Sequence, residues 1–398
     1  MSTTAPGSLP EITDSTRQAL TLLLRRGPMA RAELARRLGL SPPALTKLTR
    51  PLVDIGLLIE VRNVGRATAG RPAMPLAINP EWGRFVGIKV TGDRLYAVLA
   101  NLCGTALRTR EMPLASTTVD DVCDRIVQLV NEIADGAAVT GLGVGLAGSV
   151  IRGSGDVVSS PFLGWTDIPL ADRLADRCGS PVSVDNDLRA LTAAQHWFGE
   201  PSSSFALITF GAGIGCGLVI KDQVITGHRG VSGAVDHLRI RDDGPLCARG
   251  HRGCLSGFAT TAAIVSATRG DRAVVDLPAV ATLARQGDRL ARSVLADAGY
   301  AVGALIGTVC NVTGPAKVVL SGEGAELYEL IDTDLRRGIA EVIHPSLAPV
   351  DLEVRELSLT DWARGAAVIA IQDHLTLRTH RPDQTGLTRP PDRISPGM

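Results

Sequence analysis

Three amphipathic helical segments and a basic β-ribbon, followed by a long alternation of strands and helices, predict an α/β protein with two parts. These are a small winged helix-turn-helix and a larger body of two lobes. The 398-residue chain, 45% apolar and 21% charged, suits a globular protein with an aliphatic core. With no apolar run of membrane-spanning length, no secretory signal and seven scattered cysteines, we expect a cytoplasmic protein with reduced thiols and no membrane partner.

The charge of the chain is unevenly distributed. Residues 1–72 carry eleven basic and five acidic side chains, a balance of +6, so the remainder of this neutral chain carries −6. A basic head on an acidic body is typical of a module that binds a polyanion, although an Arg-rich solvated surface gives the same count. The order of helices and strands within the head therefore has to distinguish these two interpretations.

The sequence of the head predicts three helices, with a tight turn between the second and the third. Thr16–Arg26 carries an apolar stripe, and the second helix is expected to end at Gly39. Ser41-Pro42 predicts an N-cap followed by Pro at the first helical position, where its missing N–H costs no hydrogen bond. Pro51 is expected to kink this third helix or to begin a fresh turn.

Two short strands, Leu58–Arg62 and Met74–Ile78, flank a Gly- and Arg-rich loop and complete the plan of a winged helix-turn-helix. In that geometry the third helix lies in the major groove of double-stranded DNA and the wing reaches the backbone or minor groove. Some three-helix units mediate only protein contacts, but the basic wing favours DNA. The predicted DNA-contacting residues are Ser41, Thr46, Lys47, Thr49 and Arg50 of the third helix and Arg62, Arg66 and Arg71 of the wing.

The body is predicted to contain two similar units of strands and helices. A meander of three strands is followed by the helix Val119–Ala134, a strand ending in a glycine loop, and a strand that leads into the helix Leu188–Phe198. A second strand–glycine turn–strand unit and a long helical region follow, which predicts a duplicated α/β architecture around a cleft. The predicted divisions are a disordered segment 1–13, the head 14–80, the body 83–377 and a disordered tail 378–398.

Six motifs of the body stand in the order and spacing typical of the ROK family (repressors, open reading frames and sugar kinases), and the chain resembles that family over residues 16–375. They are GLGVGLAGSV, SSPFLGWTDIPLADRL, PVSVDNDLRALTAAQHWFG, ITFGAGIGCGLVI, HRGVSGAVDHL and CARGHRGCL. The head, which ends in GRP, is similar to that of the family's transcriptional regulators. The resemblance implies an actin-like, ribonuclease-H-like body in two lobes and a homodimer or higher homo-oligomer.

The first glycine turn of the body departs from the pattern of family kinases, which reads Asp-x-Gly-Gly-Thr. Here Lys89 replaces the Asp, Thr91 the first Gly and Asp93 the Thr. A β-branched residue blocks close approach of a phosphate, and Asp93 would repel a triphosphate, only partly balanced by Lys89. We therefore expect no kinase activity, no catalytic residue and no ATP, although a second glycine turn, Gly211–Gly215, is kept.

Three effector-contacting residues are implied by the resemblance. Asn186 and Asp187 match a sugar-hydroxyl partner and the catalytic base, and His237 matches a histidine that binds both sugar and zinc. Asp187 has a second interpretation, as a cap of the helix that begins at Leu188.

Other sugar contacts of the family are missing. Ala234 and Ser256 stand where glutamates would be, and Phe162 replaces an asparagine. Because each lost hydrogen bond costs on the order of 1–3 kcal/mol, an ordinary hexose is a poor candidate effector. A less polar or larger ligand, or none, is expected.

A zinc site is also implied, in altered form. His237, Cys247 and Cys254 match family ligands, whereas Arg249 replaces a cysteine. His251 could complete the four donors of a structural zinc site. The alternative is a metal-free loop in which Arg249 fills the vacancy.

Together these observations predict a DNA-binding transcriptional regulator of ROK type, a repressor, whose inactive kinase-like body serves dimerisation and effector sensing. Two alternatives are an active sugar kinase with a vestigial head and a regulator that needs no effector.

Overall fold

The computed structural model describes residues 12–61, 74–200, 202–227, 231–269 and 274–376. Most of the two predicted disordered ends lies outside these ranges, and so do the wing residues Arg62, Arg66 and Arg71.

The head contains the predicted helices and ribbon. Gly39 adopts φ 64° just after the second helix, and the Ser41 hydroxyl accepts a hydrogen bond from the amide of Ala44, so the predicted turn and N-cap are confirmed. The third helix runs unbroken from Pro42 to Asp54 with Pro51 inside it, so the alternative in which a fresh turn begins at Pro51 is wrong. The elements are α1 (Asp14–Arg26), α2 (Arg31–Arg37), α3 (Pro42–Asp54), β1 (Leu58–Glu60) and β2 (Leu76–Ile78), the two strands being antiparallel.

The first lobe is built on a five-stranded sheet of order β10-β6-β3-β4-β5, covered by α4 and α5, with a small three-stranded sheet β7-β8-β9 beside it. Its strands are β3 (Arg84–Val90), β4 (Arg94–Asn101), β5 (Ala106–Pro113), β6 (Gly141–Leu146), β7 (Ser149–Ile151), β8 (Asp156–Ser160), β9 (Trp165–Pro169) and β10 (Val182–Asn186). Its helices are α4 (Val119–Ala134), α5 (Leu170–Cys178) and α6 (Asp187–Phe198), the last of which leads to the second lobe.

The second lobe repeats the topology of the first. Its sheet has the order β13-β12-β11-β14-β15, and in both sheets an antiparallel meander is extended by two parallel strands. The predicted duplication is therefore confirmed. The strands are β11 (Phe205–Phe210), β12 (Ile214–Ile220), β13 (Gln223–Val224), β14 (Lys317–Ser321) and β15 (Leu352–Val354). The helices are α7 (Leu255–Ala259), α8 (Thr261–Arg269), α9 (Leu277–Arg285), α10 (Arg289–Thr313), α11 (Tyr328–Val342) and α12 (Leu359–Thr376).

The final helix, α12, returns to the first lobe and packs on its sheet. Glycines make this close approach sterically feasible: a Cβ atom at Gly143 would lie 1.8 Å from the carbonyl oxygen of Ala366, and one at Gly87 would lie 2.0 Å from that of Ala363. The backbone of α12 therefore fixes the position of β3 and β6, whose ends carry the residues of the kinase-like site.

Head and body share one hydrophobic core. Leu20 and Leu52 of the head belong to the same buried cluster as Val98 and Ile371 of the body. The indole nitrogen of Trp82 also donates a 3.1 Å hydrogen bond to the carbonyl of Ile55 at the end of α3. The head is thus held against the first lobe and α12 by continuous packing.

The helix α10 is the one helix of the described chain long and apolar enough to cross a membrane, yet 67% of its apolar segment is buried inside the protein. It lies against α11 in the core of the second lobe. All seven cysteines are free thiols, and burial raises the pKa of Cys216 to about 12, as expected for an unreactive core thiol.

Candidate DNA-binding surface and kinase-like site

The exposed face of α3 forms an open concave surface. Thr46, Lys47 and Arg50 are all exposed there, and Arg50, whose side chain is 80% exposed, lies 4.0 Å from Asp54. So distant and solvated an ion pair leaves the guanidinium available for another anion. The residues that line this surface are Pro42, Pro43, Thr46, Lys47, Arg50, Pro51 and Asp54.

Thr49, predicted on this surface, is buried, and that prediction is wrong. Its side chain is 1% exposed, and its hydroxyl donates a 2.9 Å hydrogen bond to the carbonyl of Leu45. Because Thr49 follows Leu45 by one helical turn and precedes the buried Leu52, it lies on the core-facing stripe of α3. Burial keeps its hydroxyl from DNA, whereas Thr46, whose hydroxyl donates in the same way to the Pro42 carbonyl at 3.0 Å, is exposed.

At the first glycine turn of the body, the Lys89 ammonium makes a buried ion pair with the Asp187 carboxylate. Both residues are 7% exposed, and the ammonium also lies 5.3 Å from the centre of the Trp362 ring. The other Asp187 oxygen accepts the amide of Leu188 at 2.8 Å. The carboxylate predicted to contact a ligand is therefore neutralised and held by the protein itself.

Asn186, rather than Asp187, caps α6. The Asn186 side-chain oxygen accepts the Arg189 amide at 3.1 Å, and its amide nitrogen donates to the Gly148 carbonyl at 3.0 Å. The helix begins at Asp187, so the alternative in which Asp187 caps a helix starting at Leu188 is wrong. One residue, Asn186, bridges the end of β10 to the glycine loop after β6.

Each of the two glycine turns has an acidic side chain in it or beside it. Asp93 is exposed in the first turn, where its carboxylate accepts a 2.9 Å hydrogen bond from Thr91. In the second, a Cβ atom at Gly211 would lie 3.2 Å from a carboxylate oxygen of Glu323. Burial raises the pKa of Tyr96, and the charges of both carboxylates raise it further, so both lie within electrostatic reach of one phenol. Lys89 is committed to Asp187 and does not offset Asp93 as expected.

The residues that replace the sugar contacts differ in exposure and polarity. Phe162 is 58% exposed, Ala234 is exposed, and the buried hydroxyl oxygen of Ser256 has no hydrogen-bond partner in the described part of the chain. These three positions therefore carry two apolar side chains and one hydroxyl where the family pattern has an amide and carboxylates.

The predicted metal ligands lie together in the second lobe. The donor atoms of His237, Cys247, His251 and Cys254 lie within 4.8 Å of one another. Donor atoms at zinc–ligand distances of about 2.0–2.3 Å are separated by roughly 3.3–3.8 Å in a tetrahedron, so small side-chain adjustments suffice. Arg249 is exposed. The fourth donor atom of the cluster belongs to His251, and the choice between a zinc site and a metal-free loop stays a prediction.

The two thiols of the cluster differ in acidity: burial and the neighbouring Cys247 raise the pKa of Cys254, whereas the pKa of Cys247 is lowered. Burial raises the pKa of the Cys247 thiol, but hydrogen bonds from the backbone of Arg249 and His251 outweigh this effect and lower it. The Nδ1 atom of His237 faces the Cys247 sulfur at 3.6 Å, whereas its Nε2 atom lies 3.3 Å from the carboxylate of Asp236. Asp236 thus orients His237 with Nδ1 toward the cluster.

Two family models match the chain: residues 85–373 match the ROK family, and residues 12–59 match a winged helix-turn-helix DNA-binding domain. The chain belongs to the ROK family.

Relatives of both functional kinds are similar to this ROK chain. The xylose repressor of Caldicellulosiruptor bescii is 23% identical over 90% of the chain and 95% of its own length. The glucokinase of Thermotoga maritima is 29% identical over 66% of the chain and 89% of its own length. A solved ROK family transcriptional regulator, described as a homologue of the E. coli MLC protein, superposes with a TM-score of 0.78 at 27% identity. That comparison covers 91% of this chain and 97% of the regulator, so the regulator plan, head included, is shared.

The sequence predicted that the four candidate metal ligands lie together, and the structure confirms that they do. It did not predict three other residues that lie at the kinase-like site or beside the cluster. Glu323 has no signal in the sequence, since only the fold carries it to Gly211. Trp362 reaches Lys89 from the last helix. Asp236, by contrast, adjoins His237 in the chain, and a carboxylate next to a histidine ligand is a recognisable pattern.

Proposed function

We propose that this protein is a transcriptional repressor that binds double-stranded DNA through α3 and the basic segment between β1 and β2. The observation that carries this proposal is the exposed surface of α3, on which Thr46 can meet base edges while Lys47 and Arg50 meet phosphates. Repressor relatives that align over nearly their whole length support it. Such a protein acts where the chromosome is, which in bacteria is the cytoplasm.

The protein binds DNA as a homodimer in this proposal. Two symmetry-related recognition helices about 34 Å apart, or a multiple of that distance, match an inverted-repeat operator. Selection of bound fragments from random duplexes, followed by sequencing, tests this. Enrichment of inverted repeats with such a spacing supports it, and enrichment of single half-sites alone contradicts the dimer.

The body does not transfer phosphate. Phosphoryl transfer needs a free carboxylate base and positive groups around the phosphates. Here the Asp187 carboxylate is paired with Lys89, and Asp93 and Glu323 place negative charge at both glycine turns.

We expect no sugar-dependent ATP turnover above a no-enzyme blank in a coupled assay across a hexose panel. Thermal stability should likewise be unchanged by Mg-ATP. Turnover that disappears in an Asp187→Asn variant would instead establish the active-kinase alternative.

The effector, in this proposal, is a ligand less polar or larger than an ordinary hexose. The exposed Phe162 ring and the unused Ser256 hydroxyl favour such a ligand, while the side chains of Asn186 and Asp187 already have protein partners. A thermal-stability screen of hexoses and of their larger, acylated or aryl derivatives tests this. Stabilisation by plain hexoses contradicts the proposal, and no stabilisation by any compound supports the effector-independent alternative.

The cluster of His237, Cys247, His251 and Cys254 holds a structural zinc ion in this proposal. Two thiol and two imidazole donors are a common structural zinc set, and the ion would join the loop after β13 to the start of α7. The Asp236 carboxylate contacts Nε2 of His237, the ring nitrogen that faces away from the cluster, as carboxylates commonly do at metal-bound histidines.

Asp236→Asn should weaken zinc binding about 10–100-fold, because the neutral amide no longer favours the His237 tautomer whose Nδ1 faces the cluster. Competition with a chromogenic chelator measures the affinity, and metal analysis the stoichiometry. Arg249→Ala is the matched control, since its exposed side chain lies in the same loop. A wild-type protein purified without zinc and unable to take it up would refute the site.

A further inference from the structure

One ion pair joins the head to the second lobe. Arg25, in the last turn of α1, reaches Asp222 at the tip of the β12–β13 hairpin, with a guanidinium-to-carboxylate distance of 2.8 Å. The Arg25 side chain is only 14% exposed. The shared core described above places the rest of the head against the first lobe, α6 and α12. This contact connects the head to the lobe that carries the second glycine turn and the zinc-type cluster.

The turn that presents Asp222 is conformationally unusual. Lys221 and Asp222 both have left-handed backbones, with φ of 49° and 62°. Two-residue hairpins with this geometry normally use Asn-Gly or Gly-Gly, because side chains at positive φ are strained. Here the strain is held by hydrogen bonds from the Asp222 amide to the Ser203 carbonyl at 2.7 Å and from the Lys221 amide to the Ser204 hydroxyl at 3.1 Å.

A second partner keeps the Asp222 carboxylate in place. The Nε2 atom of His196, on α6 and 4% exposed, lies 3.4 Å from the same carboxylate oxygen that Arg25 contacts. Burial opposes ionisation of Asp222, but the hydrogen bonds and charges of Arg25 and His196 together outweigh it and hold the pKa of this carboxyl below its ordinary value. Head, interlobe helix and second lobe therefore meet at one carboxylate.

We propose that the Arg25–Asp222 contact couples the position of the second lobe to that of the DNA-binding head. A shift of the hairpin relative to α6 pulls on α1, and DNA held by the head restrains the hairpin in return, because coupling between two sites is reciprocal. A strained turn suits this role, since it keeps its shape only while its contacts persist. The inference rests on the proposed DNA binding by the head.

Hydrogen exchange of the full-length protein, measured with and without sheared genomic DNA at low ionic strength, tests the coupling. The variants are Arg25→Gln and Asp222→Asn, the second of which keeps a residue that tolerates positive φ. Arg26→Gln is the matched control: it removes the same charge from the same turn of α1, but its side chain is exposed. DNA binding is followed by fluorescence anisotropy in the same samples.

In the wild type and in Arg26→Gln, DNA should slow amide exchange in the β12–β13 hairpin. In Arg25→Gln and Asp222→Asn, the hairpin and α1 should exchange roughly 3- to 10-fold faster without DNA, and DNA should no longer slow the hairpin. Hairpin protection by DNA that persists in Arg25→Gln overturns the coupling. If the wild type binds no DNA, the proposed function fails, whereas the exchange difference between Arg25→Gln and Arg26→Gln still reports whether the contact holds α1.

Discussion

Replacing Lys89 with methionine should lower the free energy of unfolding by about 3–5 kcal/mol, because it leaves the Asp187 carboxylate buried without a counter-charge. The substitution keeps the length of the side chain, so lost packing contributes little. Water cannot replace the lost ammonium, because both residues of the pair are only 7% exposed. The second oxygen of Asp187 already accepts the Leu188 amide. Urea unfolding, followed by tryptophan fluorescence, measures the change, and Trp362 lies next to the site.

The control for this prediction removes both charges. Lys89→Met combined with Asp187→Asn keeps an acceptor for the Leu188 amide and should recover most of the lost stability, since no buried charge is left. A single Lys89→Met variant as stable as the wild type would show that the pair is not buried in solution. Neither variant should acquire kinase activity, because Asp93 and Glu323 still oppose a triphosphate.

The second large effect concerns DNA. Lys47→Ala should weaken binding to every duplex and reduce the slope of log affinity against log salt by about 0.9, the loss of one phosphate contact. Thr46→Val should instead change the preference among sites by roughly 1 kcal/mol, because a hydroxyl that can meet a base edge is removed. Anisotropy titrations at several salt concentrations, on selected and scrambled duplexes, separate the two.

Matched variants sharpen this comparison. Arg125→Ala removes an exposed cation from the body and should leave the salt slope unchanged. Thr49→Val makes the same chemical change as Thr46→Val on the same helix, but at a buried position. It should alter stability and not site preference. Equal changes in preference from both threonine variants would mean that the faces of α3 are assigned wrongly.

The sequence predicted well what is local and periodic. The helix Val119–Ala134 was placed at its observed bounds because its apolar spacing and flanking turns define both ends. The candidate metal ligands His237, Cys247 and Cys254 were implied by the family resemblance, and their donor atoms do lie together with that of His251. The prediction for Thr49 is wrong because its position, one turn from Leu45 on the apolar stripe, places this polar residue on the buried face of the helix.

Contacts between distant segments were beyond sequence reasoning. The ion pair of Lys89 and Asp187 joins the first strand of the body to α6 across 98 positions, and that of Arg25 and Asp222 spans 197. Such pairs depend on where the two sheets place their ends, which periodicity does not reveal. The substitution at Lys89 could be read as a loss of phosphate chemistry, whereas its gain of a buried partner could be seen only in three dimensions.

The hydrophobic core that runs from α1 into the first lobe has a consequence for the modularity of this chain. Detaching the head would expose apolar side chains of this shared cluster to water, so an isolated body should aggregate more readily than the intact chain. The head therefore cannot be replaced by another DNA-binding domain simply by cutting and rejoining the chain at a linker. A chimera that replaces the head also has to transfer or redesign the face of α12 that packs against it.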